Sequence, residues 1–145
     1  MKKENQMNLE SQLAFPLYIT AKEVIRSFQP VLTALDLTYT QYLVMMVIWE
    51  YKTTNLKMIG DRISLDSGTL TPLLRKLEAK GFITRERFTG DGRSMVIQLT
   101  AKGQSLQKKV KHLPNVMDDA IGLSAEEEQT LRALLAKMMR NIGAK

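Results

Sequence analysis

Residues 66–93, DSGTLTPLLRKLEAKGFITRERFTGDGR, constrain the fold more than any other stretch of this chain. Leu70, Leu73, Leu74 and Leu77 fall at i, i+3, i+4 and i+7, the spacing of one buried helix face. Asp66 or Ser67 stands where an N-cap belongs, and Gly81 where a helix stops. Pro72 reads as part of the first turns, where a missing N–H costs little. From Phe82 the period drops to two: Phe82, Thr84, Glu86 and Phe88 alternate with Ile83, Arg85 and Arg87. Thr89-Gly90-Asp91-Gly92 has the composition of a tight turn, and Met95, Ile97 and Leu99 resume the alternation. The reading is a helix followed at once by a β-hairpin. A helix anchored by four leucines must turn its other side outward.

The flanking segments fill in the architecture. Leu13, Leu17, Val24, Phe28, Leu32 and Leu35 form an apolar stripe on a first helix that begins near Ala14 or bends at Pro16. Thr38 or Thr40 caps a second helix, apolar all round from Tyr42 to Trp49 and closed by the polar cluster Lys52-Thr53-Thr54-Asn55. Leu56, Ile59, Ile63 and Leu65 mark a short third helix with Gly60 inside it. After the hairpin, Thr100 caps a helix running to about Met117 and interrupted at Pro114. Ser124 and Glu127 form a capping box for a last helix, with Leu131, Leu134, Leu135, Met138, Met139 and Ile142 on one face. The expected fold is mainly α: one domain, 1–145, with a winged helix-turn-helix over 52–100. Extra N- and C-terminal helices, 8–36 and 101–143, form a dimerisation region.

Composition removes several classes of chemistry. No cysteine is present, so there is no disulfide, thiolate metal site or thiol nucleophile. The single histidine, His112, sits in a lysine-rich stretch and reads as a solvated residue; metal centres need several ligands. Glu126-Glu127-Glu128 open a helix, where they complement its dipole rather than form a catalytic pair. With no Gly-rich phosphate loop either, no enzyme activity and no cofactor are expected. The apolar run Tyr42–Trp49 is too short to span a bilayer, and MKKENQMNLES lacks the apolar stretch of a secretory signal; a cytoplasmic location is expected.

Charge points to a polyanion. Residues 1–51 carry 4 basic and 5 acidic groups, residues 52–94 carry 9 and 5, and residues 95–145 carry 8 and 5. On the outward side of the hairpin-linked helix lie Ser67, Thr69, Thr71, Arg75 and Lys76, side chains that reach base edges and phosphates. Arg85, Arg87 and Arg93 surround the hairpin turn, and Asp91 is placed to orient Arg93 for a narrow minor groove. Helix and tip together suit adjacent grooves of double-stranded DNA. The first and last helices carry apolar faces that a two-fold dimer buries, presenting two reading helices to a palindromic operator.

With these residues in view, the chain resembles the MarR family of bacterial winged-helix regulators. Asp66–Ser94 matches the family's reading helix and wing, including Asp-x-Arg as Asp91-Gly92-Arg93. Leu37–Glu50 (LTYTQYLVMMVIWE) and Gln12–Tyr18 (QLAFPLY) resemble the organic-hydroperoxide-sensing branch. The resemblance implies a homodimeric repressor whose reduced form holds DNA and releases it when peroxide oxidises a cysteine near the start of the first helix. It also implies tyrosines that hold that thiol, some from the partner subunit. Here the cysteine position is Ala14; Tyr18 matches one tyrosine partner, and Phe28 stands at the second with no hydroxyl to donate. Alanine cannot enter the thiol oxidation ladder. Ala14 is either an engineered replacement or the residue of a relative without peroxide sensing. The alternative trigger is a small-molecule effector in a cleft formed by Phe15, Tyr18, Tyr42, Met45 and Trp49. Met45 and Met46, in the buried second helix, read as core rather than as substitute sensors.

Overall fold

The computed structural model describes residues 7–87 and 95–143. A short 3-10 turn, Leu9–Ser11, precedes α1 (Ala14–Ala34) and α2 (Tyr39–Tyr51). Strand β1 (Thr53–Asn55) leads into α3 (Leu56–Ile63) and α4 (Ser67–Ala79). The hairpin strands β2 (Ile83–Arg87) and β3 (Met95–Leu99) follow, then α5 (Ala101–Val110), α6 (Leu113–Ile121) and α7 (Ala125–Ile142). The molecule is mostly helical with one small antiparallel sheet in the order β1-β3-β2.

Most boundaries have a local cause. Thr38 and Gln41 close a capping box at the start of α2, Asp66 accepts the Thr69 N–H at 3.3 Å, and Thr100 accepts the Gly103 N–H at 3.1 Å. Ser124 and Glu127 form the reciprocal pair anticipated for α7. At the far end of α4, Gly81 takes φ +82°; its N–H bonds to the Glu78 carbonyl and that of Phe82 to Leu77, a Schellman stop. Helix α1 begins at Ala14, so Pro16 falls in its donor-free first turn.

Two elements differ from the sequence expectation. The polar cluster Lys52–Asn55 contains β1, whose Thr54 pairs with Ile97; three residues carry no readable period, and β3 alone makes them a strand. Asn55 then caps α3 by accepting the Met58 N–H at 2.9 Å. Pro72 lies in the early turns of α4 as expected, but in the second, past the donor-free one, so the Gly68 carbonyl lacks its usual helical donor. The helix after the hairpin is two helices, broken at Lys111 and His112 with Pro114 in the first turn of α6.

The core sits between α2, α4 and the sheet. Leu32, Val44, Met45, Ile48, Ile59, Leu70, Leu74, Leu77, Ile83 and Ile97 are all buried. The Trp49 indole N–H donates to the Gly103 carbonyl at 2.9 Å, locking α2 to α5. Gly103 is required there: a Cβ would lie 2.2 Å from the Phe82 carbonyl oxygen. Met46, expected inside, is 42% exposed, whereas its neighbour Met45 is fully buried.

Candidate nucleic-acid interface

Helix α4 follows α3 across a tight turn. Ser64 caps α3 in the left-handed region at φ 55°, and the Leu65 N–H bonds back to the Gly60 carbonyl at 3.1 Å. Gly60 permits that approach, since a Cβ would stand 2.7 Å from the Leu65 carbonyl oxygen. Leu70, Leu74 and Leu77 then bury one side of α4. At 100° per residue the opposite side is centred on Gly68, Pro72, Arg75 and Ala79, with Lys76 beside them. All five are exposed, and among the described residues neither Arg75 nor Lys76 is held in an ion pair.

The hydroxyls named from sequence occupy other ground. Thr69 and Thr71 lie about 160° apart around the helix, on opposite flanks of the exposed face, not together on it. Thr69 is tied into the N-cap with Asp66; its hydrogen bond is the first cause that holds the Asp66 carboxyl below the usual carboxylate range. Thr71 is half-buried and donates its hydroxyl to the Ser67 carbonyl at 2.7 Å, leaving only acceptor capacity outward. Ser67 is exposed. Sequence reasoning looked for polar side chains and so passed over Gly68 and Pro72, which make the centre of the outward face low. The signal was present in the helical period itself.

The arginines of the hairpin divide. Arg87, at the end of β2, is exposed. Arg85 is not a free groove-seeking side chain: it is 17% exposed, and its guanidinium lies 3.2 Å from the Glu78 carboxylate. The same carboxylate accepts the Arg85 backbone N–H at 3.1 Å. The physical reason is the strand period, which puts Arg85 on the side of Ile83, against α4. Its Nε is buried without a partner among the described residues. Asp91 and Arg93, the expected tip residues, lie outside the described residues.

At the start of α1, Ala14 and Tyr18 are both exposed and share a helix face. Phe28 is buried. Phe28 is fourteen residues beyond Ala14 on one continuous helix, about 21 Å along its axis, so the two do not meet within a chain. The cleft expected around Phe15, Tyr18, Tyr42, Met45 and Trp49 does not form either. Met45 and Trp49 are core residues, and Tyr18 points to solvent with the Lys22 ammonium 5.9 Å from its ring. A cavity of about 530 Å³ opens instead between α1, α2, α6 and α7, with Tyr39, Tyr42, Met46, Met117, Leu131 and Arg132 on its wall. Burial raises both phenols above the ordinary tyrosine value, so they stand protonated as donors.

Comparison with known proteins identifies the family and fold. Residues 26–110 match the model of the transcriptional regulator SarA/Rot family. The chain is 40% identical over 132 residues to the organic hydroperoxide resistance transcriptional regulator of Bacillus subtilis, covering 91% of this chain and 88% of that protein. It is 39% identical to the regulator SarZ of Staphylococcus saprophyticus, over 91% of this chain and 90% of that one. Among solved structures, reduced AbfR bound to DNA superposes with a TM-score of 0.79 at 33% identity, covering 98% of this chain and 99% of that one.

Proposed function

Because the chain belongs to the SarA/Rot family of transcriptional regulators, MarR-like winged-helix proteins that are not enzymes, we propose that it represses transcription as a homodimer on a palindromic operator. Helix α4 enters the major groove and the hairpin reaches the neighbouring minor groove. The observation that carries this reading is the outward face of α4: two exposed cations, Arg75 and Lys76, without an ion pair among the described residues, beside the low surface of Gly68 and Pro72. Ser67, Thr69 and Thr71 flank it as phosphate and base contacts. Arg87 contacts backbone, and Asp91 with Arg93 form the minor-groove tip. Arg85 holds the root of the wing on α4 through Glu78. The DNA-bound AbfR structure supports this assignment by its likeness across nearly the whole chain.

The test is binding to a palindromic duplex as a function of salt. Affinity falls with a log–log slope of about −0.9 per phosphate neutralised. Arg75→Ala costs on the order of 1–3 kcal/mol and relaxes preference at one position, whereas Lys76→Ala lowers the slope by about 1 with sequence preference intact. A flat salt dependence would count against the whole reading.

The dimer is supported by unburied apolar surface. No residue of α7 is buried; Leu131, Leu134, Leu135 and Met139 are all exposed, as are Leu13 and Ile19 near the start of α1. A second copy supplies the cover and brings the two α4 helices to adjacent turns of one duplex.

The likeness to the organic hydroperoxide regulator supports target genes in the peroxide response. Ala14 bears no thiol, so this chain stays in the DNA-holding form when peroxide is added; Ala14→Cys restores release. A second reading is favoured by the cavity beneath Tyr39 and Tyr42, where a small aromatic or carboxylic effector releases DNA instead. A thermal shift with aromatic acids, lost in Met46→Trp, distinguishes it from the thiol route.

A further inference from the structure

The geometry points to Lys80 as a positioning residue that fixes α4 relative to the α1–α2 turn, and thereby fixes the spacing of the two reading helices. The inference rests on the DNA-binding reading above. Lys80 is the C-cap of α4, at the end remote from the helix N-terminus offered to DNA. Its ammonium leaves the helix and donates to the Asp36 backbone carbonyl and to Gln41 Oε1, the latter at 3.1 Å, with the Asp36 carboxylate 3.4 Å away. Three acceptors match the three N–H donors of an ammonium.

Both anchoring residues are themselves held. Asp36 sits in the turn after α1 with φ 59°, a conformation that a non-glycine residue rarely adopts. Gln41 is buried, and the same Oε1 accepts the Thr38 N–H at 3.1 Å within the capping box of α2. One amide oxygen therefore joins the first turn of α2 to the C-cap of α4. From the other side, Lys102 donates to the Lys80 carbonyl at 2.7 Å and Thr100 to the Gly81 carbonyl at 2.6 Å, tying the same terminus to α5. Cations at this end also complement the helix dipole.

A clamp at one end of a rigid helix acts as a lever on the other. Thirteen residues at 1.5 Å each make α4 about 20 Å long, so a tilt of about 10° at Lys80 displaces the first turn by about 3 Å. Such a shift misaligns base contacts in a groove without removing any of them. The turn that Lys80 grips ends α1, whose outward apolar face is assigned to the second copy. Lys80 thus relates the reading helix to the two-fold axis, and the predicted defect is in half-site spacing rather than in phosphate contact.

The experiment compares wild type, Lys80→Met and Lys80→Arg in the full chain. The probes are the palindromic duplex that wild type enriches from a random library, the same duplex with one base pair inserted or deleted at its centre, and a duplex bearing a single half-site. Lys80→Met is expected to lose about tenfold in affinity for the native palindrome, to lose discrimination against the altered spacings, and to match wild type on the single half-site. Lys80→Arg, which keeps donors and charge, restores the spacing preference. Asp36→Gly, which removes only the carboxylate arm at a φ glycine accepts, shows a smaller loss in the same direction, and it carries the test should Lys80→Met not fold. Unchanged affinity for the palindrome in Lys80→Met would overturn the inference, as would equal weakening on palindrome and half-site, because that marks a local disturbance of α4. Wild type with no preference for any duplex would overturn the DNA reading itself, and this inference with it.

Discussion

The two halves of this molecule solve opposite problems. The body built from α2, α3, α4 and the sheet closes a core of its own: Leu74, Ile48, Ile59 and Ile97 are 1% exposed or less. The outer helix α7 is just as regular, with a capping box at one end and Gly143 at φ +77° at the other, yet it buries none of its residues. Good local helix signals and an apolar face are thus common to both. What differs is the cover. The body's apolar surfaces mostly meet one another within the chain, whereas among the described residues the faces of α7 and of the start of α1 stay largely exposed, the surface that the proposed dimer covers.

Substitutions at matched leucines sharpen that contrast. Leu74→Ala should cost about 2–5 kcal/mol of stability through lost burial and a residual cavity, independent of protein concentration in chemical denaturation. Leu134→Glu, on α7, should leave the body folded by circular dichroism and weaken self-association by 2 kcal/mol or more, on the order of thirtyfold, in sedimentation equilibrium. If Leu134→Glu instead unfolds the chain without altering its mass at any concentration, α7 belongs to the core and the contrast fails.

Gly68 extends the comparison to the DNA face. A Cβ there meets only the Asp66 carboxylate, at an ordinary 3.4 Å, so packing within the protein does not require glycine. Gly68→Ala should therefore raise stability by up to about 1 kcal/mol while weakening duplex binding, a split measured by thermal melting beside a titration. A matched fall in both would mean the backbone there needs glycine for the fold itself.

The smallest effect concerns acid. Cap hydrogen bonds hold Asp66 and Glu127 below the usual carboxylate range; Thr69 leads for Asp66 and the Ser124 backbone N–H for Glu127. A depressed folded-state pKa stabilises above the unfolded value, and that stability is lost as pH falls through the folded value. Both groups are fully exposed, so the loss on acidification is small; Asp66→Asn and Glu127→Gln should flatten the acid limb of the melting-temperature curve.

Much of this was legible without coordinates. The leucine period of α4, the caps at Thr38, Asp66, Thr100 and Ser124, and the turn from helical to strand spacing at Phe82 are all carried by residues within a few positions of each other. They follow from hydrogen bonds and side-chain periods that one segment can satisfy alone. The outward face of α4 was legible too, but reading it for hydroxyls rather than for its centre drew attention to Thr69 and Thr71 and away from Gly68 and Pro72.

What only the tertiary structure decided involves partners far apart in the chain. Strand β1 exists because β3 supplies its hydrogen bonds, across more than forty residues. Arg85 reads as one more basic residue of a wing until Glu78 is found beside it. Met46 shares its sequence surroundings with Met45, yet one faces a cavity and the other the core. Lys80, an ordinary lysine at a helix end, becomes a strut only because Asp36 and Gln41 are folded against it. Sequence spacing determines what a segment does with its own backbone, since those bonds close within a turn. Which distant group satisfies a charge or an edge depends on how the segments pack, and no local pattern encodes that.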